Sequence, residues 1–291
     1  MNSSDQKNEK LTAKEKIFII AVLTVIVVAV AGVLIYKNVI KPSRLYAQAV
    51  EQMNSGDYIG AYNGFLDLGS YRDSEEKLKS VEDEFCAATV QEADVEKMVF
   101  FGKYEQDNDA ADGKEPIEWI AIARDGEKLL LVSRYAIDCK RYNDTYEATT
   151  WETCSLREWL NGEFLNETFT ADEAAKIVEA NVTADENTEY DTDPGNNTED
   201  KIFLLSMTET GEYFNMLGDF FQYLKCTPTE YAKANGEAST NEFCCWWLRT
   251  PGSNEECATF VGSSGAIRTA GYGINLNYYC VRPAMWINPN A

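Results

Sequence analysis

Residues Ile17 to Tyr36, IFIIAVLTVIVVAVAGVLIY, run for 20 residues without a charge. As a helix rising about 1.5 Å per residue they reach about 30 Å, the thickness of a bilayer's hydrocarbon core. A chain with such a run either anchors in a membrane or loses the run as a leader. Ala29-Val30-Ala31 resembles the small-x-small site of a cleaved signal peptide, but the apolar stretch overshoots a signal core and continues past that site. The expectation is a single-pass signal anchor over 17–36 with a cytoplasmic tail over 1–16. Lys7, Lys10, Lys14 and Lys16 before the run slightly outweigh Lys37, Lys41 and Arg44 after it, which orients the N-terminus inward and the remainder out of the cytoplasm.

The chain of 291 residues holds 48 acidic against 26 basic residues, a formal net charge of -22. Such a surface repels nucleic acid, which is excluded as a partner. Histidine is absent, so the usual general base, the commonest zinc ligand and the standard triads are all missing. An enzyme built on this chain would work with carboxylates, Cys, Tyr or Lys. Arg157 and Glu158 have no nucleophile or base partner near them in sequence, and no catalytic residue is assigned.

Residues 44–86 carry helical spacing broken at Asn54-Ser55-Gly56 and again at Gly69-Ser70, which predicts a helical hairpin followed by a third helix from Ser74. Gly60 and Gly64 would each weaken the second helix by up to about 1 kcal/mol relative to Ala, as suits a helix held by packing. Ala49, Gly56-Asp57-Tyr58, Ala61 and Phe65 resemble one tetratricopeptide-type repeat. Solenoids need about three repeats to bury a continuous core, so a stalk is expected. The alternative is a docking element that makes the chain an accessory subunit of a membrane complex.

From about residue 95 the composition changes to short β-like runs at Met98–Tyr104, Ile117–Ala123, Lys128–Ser133 and Ile202–Ser206, with Asp125-Gly126 as a hairpin turn. Between them lies the densest stretch, TTWETCSLREWLNGEFLNETFTADE at 149–173. Leu156, Trp159, Leu160 and Phe164 fall on one helical face and form a predicted core with Trp247, Arg249, Arg282 and Trp286. Thr149 with Glu152, Ser155 with Glu158, and Thr170 with Glu173 each fit a capping box, and Asn161-Gly162 reads as a stop. The helix from Thr170 should carry Ala174, Ile177 and Val178 inward. An acidic loop over 183–200 and a helical stretch around 209–225 follow. The last 50 residues are rich in Gly, Asn, Ser and aromatics without a helical period. Residues 95–291 therefore read as a loop-rich α+β domain.

The ordered set FGKY, PIEW, LLLVS, TWETCSLREWLNGEF, DKIFLLS, WWLRTPG and VRPAMWIN resembles a bacterial domain family of unknown function found in surface-exposed or membrane-anchored proteins, over residues 97–288. The closing Trp-Leu-Arg segment, Gly-rich hairpins and Arg-Pro-Ala are more distantly similar to the formylglycine-generating-enzyme and C-type-lectin-like fold. Cys280 stands where that pattern leads one to expect glycine. Membership implies an architecture and leaves the chemistry open. A copper-dependent oxidase of the formylglycine-generating type, which holds copper between two cysteines near the C-terminus, is the enzymatic alternative. Cys244 and Cys245 are adjacent and Cys280 is isolated, unlike that arrangement.

Eight cysteines allow too many connectivities to choose among. The natural guess pairs Cys244 or Cys245 with Cys257 or Cys280, and takes Cys154 as a small buried thiol. No C-x-x-C occurs, and the vicinal pair has no histidine to complete a soft-metal site. Asp191, Asp193, Asn196 and Asp200 place hard oxygens on one loop as a calcium candidate, against which a solvated acidic loop is the favoured reading. No other cofactor is expected. Arg268, Tyr272, Asn275, Asn277 and Tyr278 interleave aromatic faces with amides, which suits a glycan or peptide ligand as well as ordinary hairpin turns. The function expected is a membrane-anchored extracytoplasmic binding module rather than an enzyme.

Overall fold

The computed structural model describes residues 12–218, 220–236 and 242–291, without the side chains of residues 220 and 221. Lys7 and Lys10, and with them most of the expected tail, lie outside the described residues. The chain divides into two compact units, Met1–Phe85 and Cys86–Ala291.

In the first unit, helix α1 (Ala13–Ile35) opens on a capping box between Thr12 and Glu15 and buries none of its side chains. It is long and apolar enough to cross a membrane. A π-helical turn (Tyr36–Ile40) leads without interruption into α2 (Lys41–Ser55). No break separates the apolar run from the hairpin, because nothing between Tyr36 and Ser55 adopts a left-handed conformation. The first such residue is Gly56, φ +85°, which caps α2. Asp57 then caps α3 (Tyr58–Leu68) by accepting from Gly60 N, and α4 (Ser74–Ser80) and α5 (Glu82–Gln91) follow. Ala49, Ala61, Phe65 and Val81 form the buried centre of this unit. Gly64 is there for contact: a Cβ on it would stand 2.8 Å from Ala49 Cβ.

The second unit is a mixed α+β structure built on two five-stranded sheets. β1 (Met98–Tyr104), β2 (Glu115–Asp125) and β3 (Lys128–Ser133) form an antiparallel meander. The sheet is completed by β12 (Ala284–Ile287) and β5 (Ile177–Val178), in the order β1-β2-β3-β12-β5. Asp125 pairs with Lys128 around Gly126 at φ +59°, the hairpin legible from Asp125-Gly126. The second sheet has the order β10-β9-β8-β11-β4, from β4 (Asp138–Cys139), β8 (Trp246–Pro251), β9 (Cys257–Val261), β10 (Ile267–Gly273) and β11 (Cys280–Val281). The chain crosses between these sheets four times, and two of the crossings, from β3 to β4 and from β11 to β12, are joined where Ser133 N donates to Pro283 O and Ile137 N to Val281 O. A small pair, β6 (Ala180–Val182) and β7 (Thr198–Asp200), closes the acidic loop at its base.

Gly102, in FGKY, sits at φ +69° where β1 shifts register against β2, and any Cβ there would enter the Phe169 ring at 2.5 Å. Its N–H donates to Glu173 Oε1 (3.0 Å), so the carboxylate that completes the Thr170 capping box also holds the bulge of β1. That box lies where the spacing puts it. The two earlier ones shift by one residue: Thr150 pairs with Thr153 around a single 3₁₀ turn, and Cys154 caps α6 (Ser155–Trp159), its thiol accepting from Arg157 N.

Asn161-Gly162 does not stop the helix. A π-helical turn at Leu160–Phe164 carries it into α7 (Leu165–Thr168). The Asn161 side chain instead straps the next segment, accepting from Lys201 N and Ile202 N and donating to Ile202 O. Ile202–Ser206, expected as a strand, is fully buried but forms no ladder, meeting the sheets at a bridge from Phe203 to Ala284 and where Arg249 N donates to Leu205 O. A short apolar run signals burial without specifying a ladder. Helix α8 (Ala171–Lys176) ends early because the β-branched pair Ile177–Val178 leaves it to pair with β12. The stretch expected to be helical around 209–225 forms α9 (Met207–Met216) and α10 (Phe220–Leu224), ahead of α11 (Glu230–Asn235).

Leu156, Leu160, Phe164 and Trp247 are fully buried, and Trp159 and Trp286 partly so. The two core arginines are bound chiefly by backbone. Arg249 donates to Leu204 O (2.9 Å) and Thr183 O (3.1 Å) and forks onto the Glu209 carboxylate. Arg282 donates to Ser133 O (2.9 Å) and Tyr223 O (2.6 Å), with its guanidinium over the rings of Trp246 and Phe214.

Candidate ligand-binding face

β10 is an edge strand, and its exposed side chains alternate, with Arg268, Ala270 and Tyr272 outward. Between the pairs Arg268–Phe260 and Tyr272–Ala258, four steps along β10 are matched by two along β9. Gly271 makes this irregularity feasible: it lies at φ +70°, and a Cβ would meet Ala258 O at 2.5 Å. Such bulges bend an edge and re-aim the side chains that follow.

The re-aimed residue is Tyr272, 52 % exposed. Behind it runs a continuous aromatic layer. Tyr272 lies 6.2 Å from Tyr279, which stacks on Tyr278 at 5.0 Å and on Trp247 at 4.2 Å and meets Phe260 edge-on at 4.7 Å. Trp247 is fixed by its indole N–H on Lys140 O (2.9 Å). Burial, and then the neighbouring Tyr278, push the Tyr279 phenol well above its ordinary value, so it is neutral at any working pH. A second exposed ring, Tyr146 at 53 %, joins this edge. It stands 3.5 Å from the position of a Cβ on Gly273, and its loop is tied down where Asn143 N donates to Ile274 O (3.0 Å). Spacing within 262–279 contains no trace of Tyr146, which arrives from the loop after β4.

Of the residues expected to contact a ligand, Arg268, Tyr272 and Asn277 are exposed and Asn275 and Tyr278 half-buried. The edge thus combines open tyrosine faces with amides held on a short turn.

The calcium candidates do not converge. Asp191 and Asp193 line a concavity of about 480 Å³ formed by residues 186–194. Asn196 is turned to the Glu152 carboxylate. Asp200 is buried at 1 %, its carboxylate accepting from Trp151 Nε1 (2.9 Å), Arg157 Nε (2.7 Å) and Thr198 Oγ1 (2.6 Å). It is the internal counter-ion of Arg157, which a calcium set cannot share. The loop is instead anchored by neutral groups, Asn187 donating to Pro251 O and Thr269 O and Thr192 to Gly252 O. Among the described residues, the three carboxylates that do approach one another are Glu105, Asp107 and Glu115.

The cysteine guess is overturned. Cys280 is joined to Cys139, its directly opposed neighbour on β4, and neither Cys244 nor Cys245 takes part. The copper arrangement loses Cys280 to that bond. Cys154 is buried, and burial first of all pushes its thiol up to about 12.

A second concavity, of about 700 Å³, is one that spacing in the sequence does not reveal. Arg134, Lys225, Phe243 and Arg282 line it, a cationic groove on a chain with a large acidic excess. Its residues come from six separated segments, so only the tertiary fold collects them.

A family model described as a domain of unknown function (DUF6273) matches residues 126–289. No curated protein and no solved structure matches the chain.

Proposed function

The chain belongs to the family described as a domain of unknown function (DUF6273), whose description assigns no activity, and we propose that it is a membrane-anchored, extracytoplasmic binding module that takes carbohydrate on the tyrosine edge of its second sheet. The carrying observation is the pair of open rings, Tyr146 and Tyr272, brought from separate segments to one edge and backed by the Tyr279–Trp247 stack. Sugar rings need an aromatic face with hydrogen-bonding groups beside it, which Asn275, Asn277 and Arg268 supply.

Two features support this topology. Helix α1 has the length and composition of a membrane span, and a Cys139–Cys280 disulfide belongs in an oxidising compartment. The tetratricopeptide-like hairpin serves as the stalk.

Binding of the full chain in nanodiscs to glycan and peptide arrays tests the reading. An aromatic contact contributes about 0.5–1.5 kcal/mol beyond its area, so Tyr272→Ala and Tyr146→Ala should each weaken sugar binding roughly 2- to 12-fold without moving the melting temperature. Parental affinity in both variants, or retention of peptides alone, would refute it.

A further inference from the structure

Cys226 and Cys244 take no part in the Cys139–Cys280 bond, and both are buried. They are paired across an isolated antiparallel bridge, with Cys244 N donating to Cys226 O at 2.8 Å and the Cys244 thiol 3.3 Å from the same oxygen. Opposed residues in antiparallel pairing stand about 4.5–5.5 Å apart at Cα, inside the roughly 4.4–6.8 Å over which disulfides form. That spacing is one a disulfide can bridge.

Their surroundings favour reaction. Arg282 is buried, and among the described residues its hydrogen bonds go to carbonyls and no carboxylate pairs with it. Burial opposes ionisation of Cys226, but the Cys244 thiol and the Arg282 charge outweigh it and hold the Cys226 thiol below its ordinary value. The hydrogen bond to Cys226, and then burial, raise Cys244. The groove described above is lined by the sequence neighbours of this pair, Lys225 and Thr227 on either side of Cys226 and Phe243 before Cys244, while the cysteines themselves lie buried behind it.

We propose that Cys226 and Cys244 are a dithiol site that closes to a second intramolecular disulfide by exchange with an external disulfide. One cysteine sulfur, as thiolate, attacks the external S–S bond, forming a mixed disulfide and expelling one external thiolate. The other cysteine then attacks its partner's sulfur in the mixed disulfide, forming the Cys226–Cys244 bond and expelling the second thiolate. Two electrons pass to the external disulfide, and the two cysteine protons end on the two released thiols. The extracytoplasmic placement bears only on where such an oxidant is met in the cell.

The test is peptide mapping of the full chain purified in detergent, incubated with oxidised glutathione, unfolded in urea with iodoacetamide present to block free thiols, and digested without reductant. The expected result is a linked Cys226–Cys244 peptide, lighter by two hydrogens, with loss of alkylation at both sites and a Cys244→Ser variant whose Cys226 ends in a glutathione adduct. Alkylation of both cysteines after oxidation, or linkage of Cys244 to Cys245 or Cys257, overturns the proposal. Chain alkylated directly in cells separates this from the topology. If the bond forms in the purified protein but both thiols are free in cells, the extracytoplasmic reading fails and the dithiol site stands.

Discussion

Replacing Arg249 with methionine keeps most of the side-chain volume and removes four donor contacts at once. Two of them serve the carbonyls of Leu204 and Thr183 in the interior, where the arginine is only 3 % exposed. Each buried acceptor left without a partner costs about 1–3 kcal/mol. The other two serve Glu209, whose side chain is 24 % exposed and keeps the Ser206 amide, so water and the cap replace much of what it loses. That partner adds at most about 1 kcal/mol. The sum is about 4 kcal/mol, within the range for breaking a buried pair, and for a unit of this size it lowers the melting temperature by about 8–16 °C. Thermal melting of the full chain in detergent, with urea titration as a check, measures it. Arg249→Lys keeps the charge with fewer donors and should fall between the two. A methionine variant within about 1 kcal/mol of the parent would show that the buried Ile202–Ser206 segment does not depend on this guanidinium, and would refute the reasoning.

Gly64→Ala should destabilise the helical hairpin by about 1–3 kcal/mol through overpacking against Ala49, exceeding the propensity gain of about 1 kcal/mol; a more stable variant by thermal melting would contradict the close approach. Burial first, with the charges of Asp107 and Glu105 behind it, raises the Glu115 carboxyl in the folded chain. The folded state therefore holds that proton more tightly than the unfolded state, and stability is lost as pH rises from the unfolded value through the raised one. Glu115→Gln should accordingly stabilise at pH 7 and lose that advantage at pH 3, and the opposite ordering of melting temperatures would reverse the sign. Cys154, with its thiol pushed up to about 12 by burial, should resist iodoacetamide at pH 8 until the domain is unfolded in urea; labelling of the folded chain would place it at the surface.

Local chemistry was legible in the sequence where one residue type answers one backbone need. Thr170 and Glu173 cap a helix, Asp125-Gly126 turns a hairpin, and the apolar run of 17–36 forms an exposed helix. The failures share a cause: the competing partner lies far along the chain. Asn161 looked like a stop because its bonds to residues 201 and 202 are invisible to spacing. Ile177 and Val178 fit a helical face until β12, more than a hundred residues later, offers them a ladder. Cys139 could not be chosen for Cys280 without knowing that β4 and β11 are neighbours. The candidate face was half legible. Tyr272 and the asparagines stand in one segment, while Tyr146 and the whole cationic groove are assembled by the fold.

The Cys139–Cys280 bond spans 141 residues of sequence and closes most of the second unit into a covalent ring. In the chain-entropy view a loop of that length is worth about 5 kcal/mol. A protease that cut the acidic loop would therefore open the ring without releasing a fragment. The disulfide would hold the two pieces as one covalent molecule, and β3 from one piece and β12 from the other would remain a paired ladder.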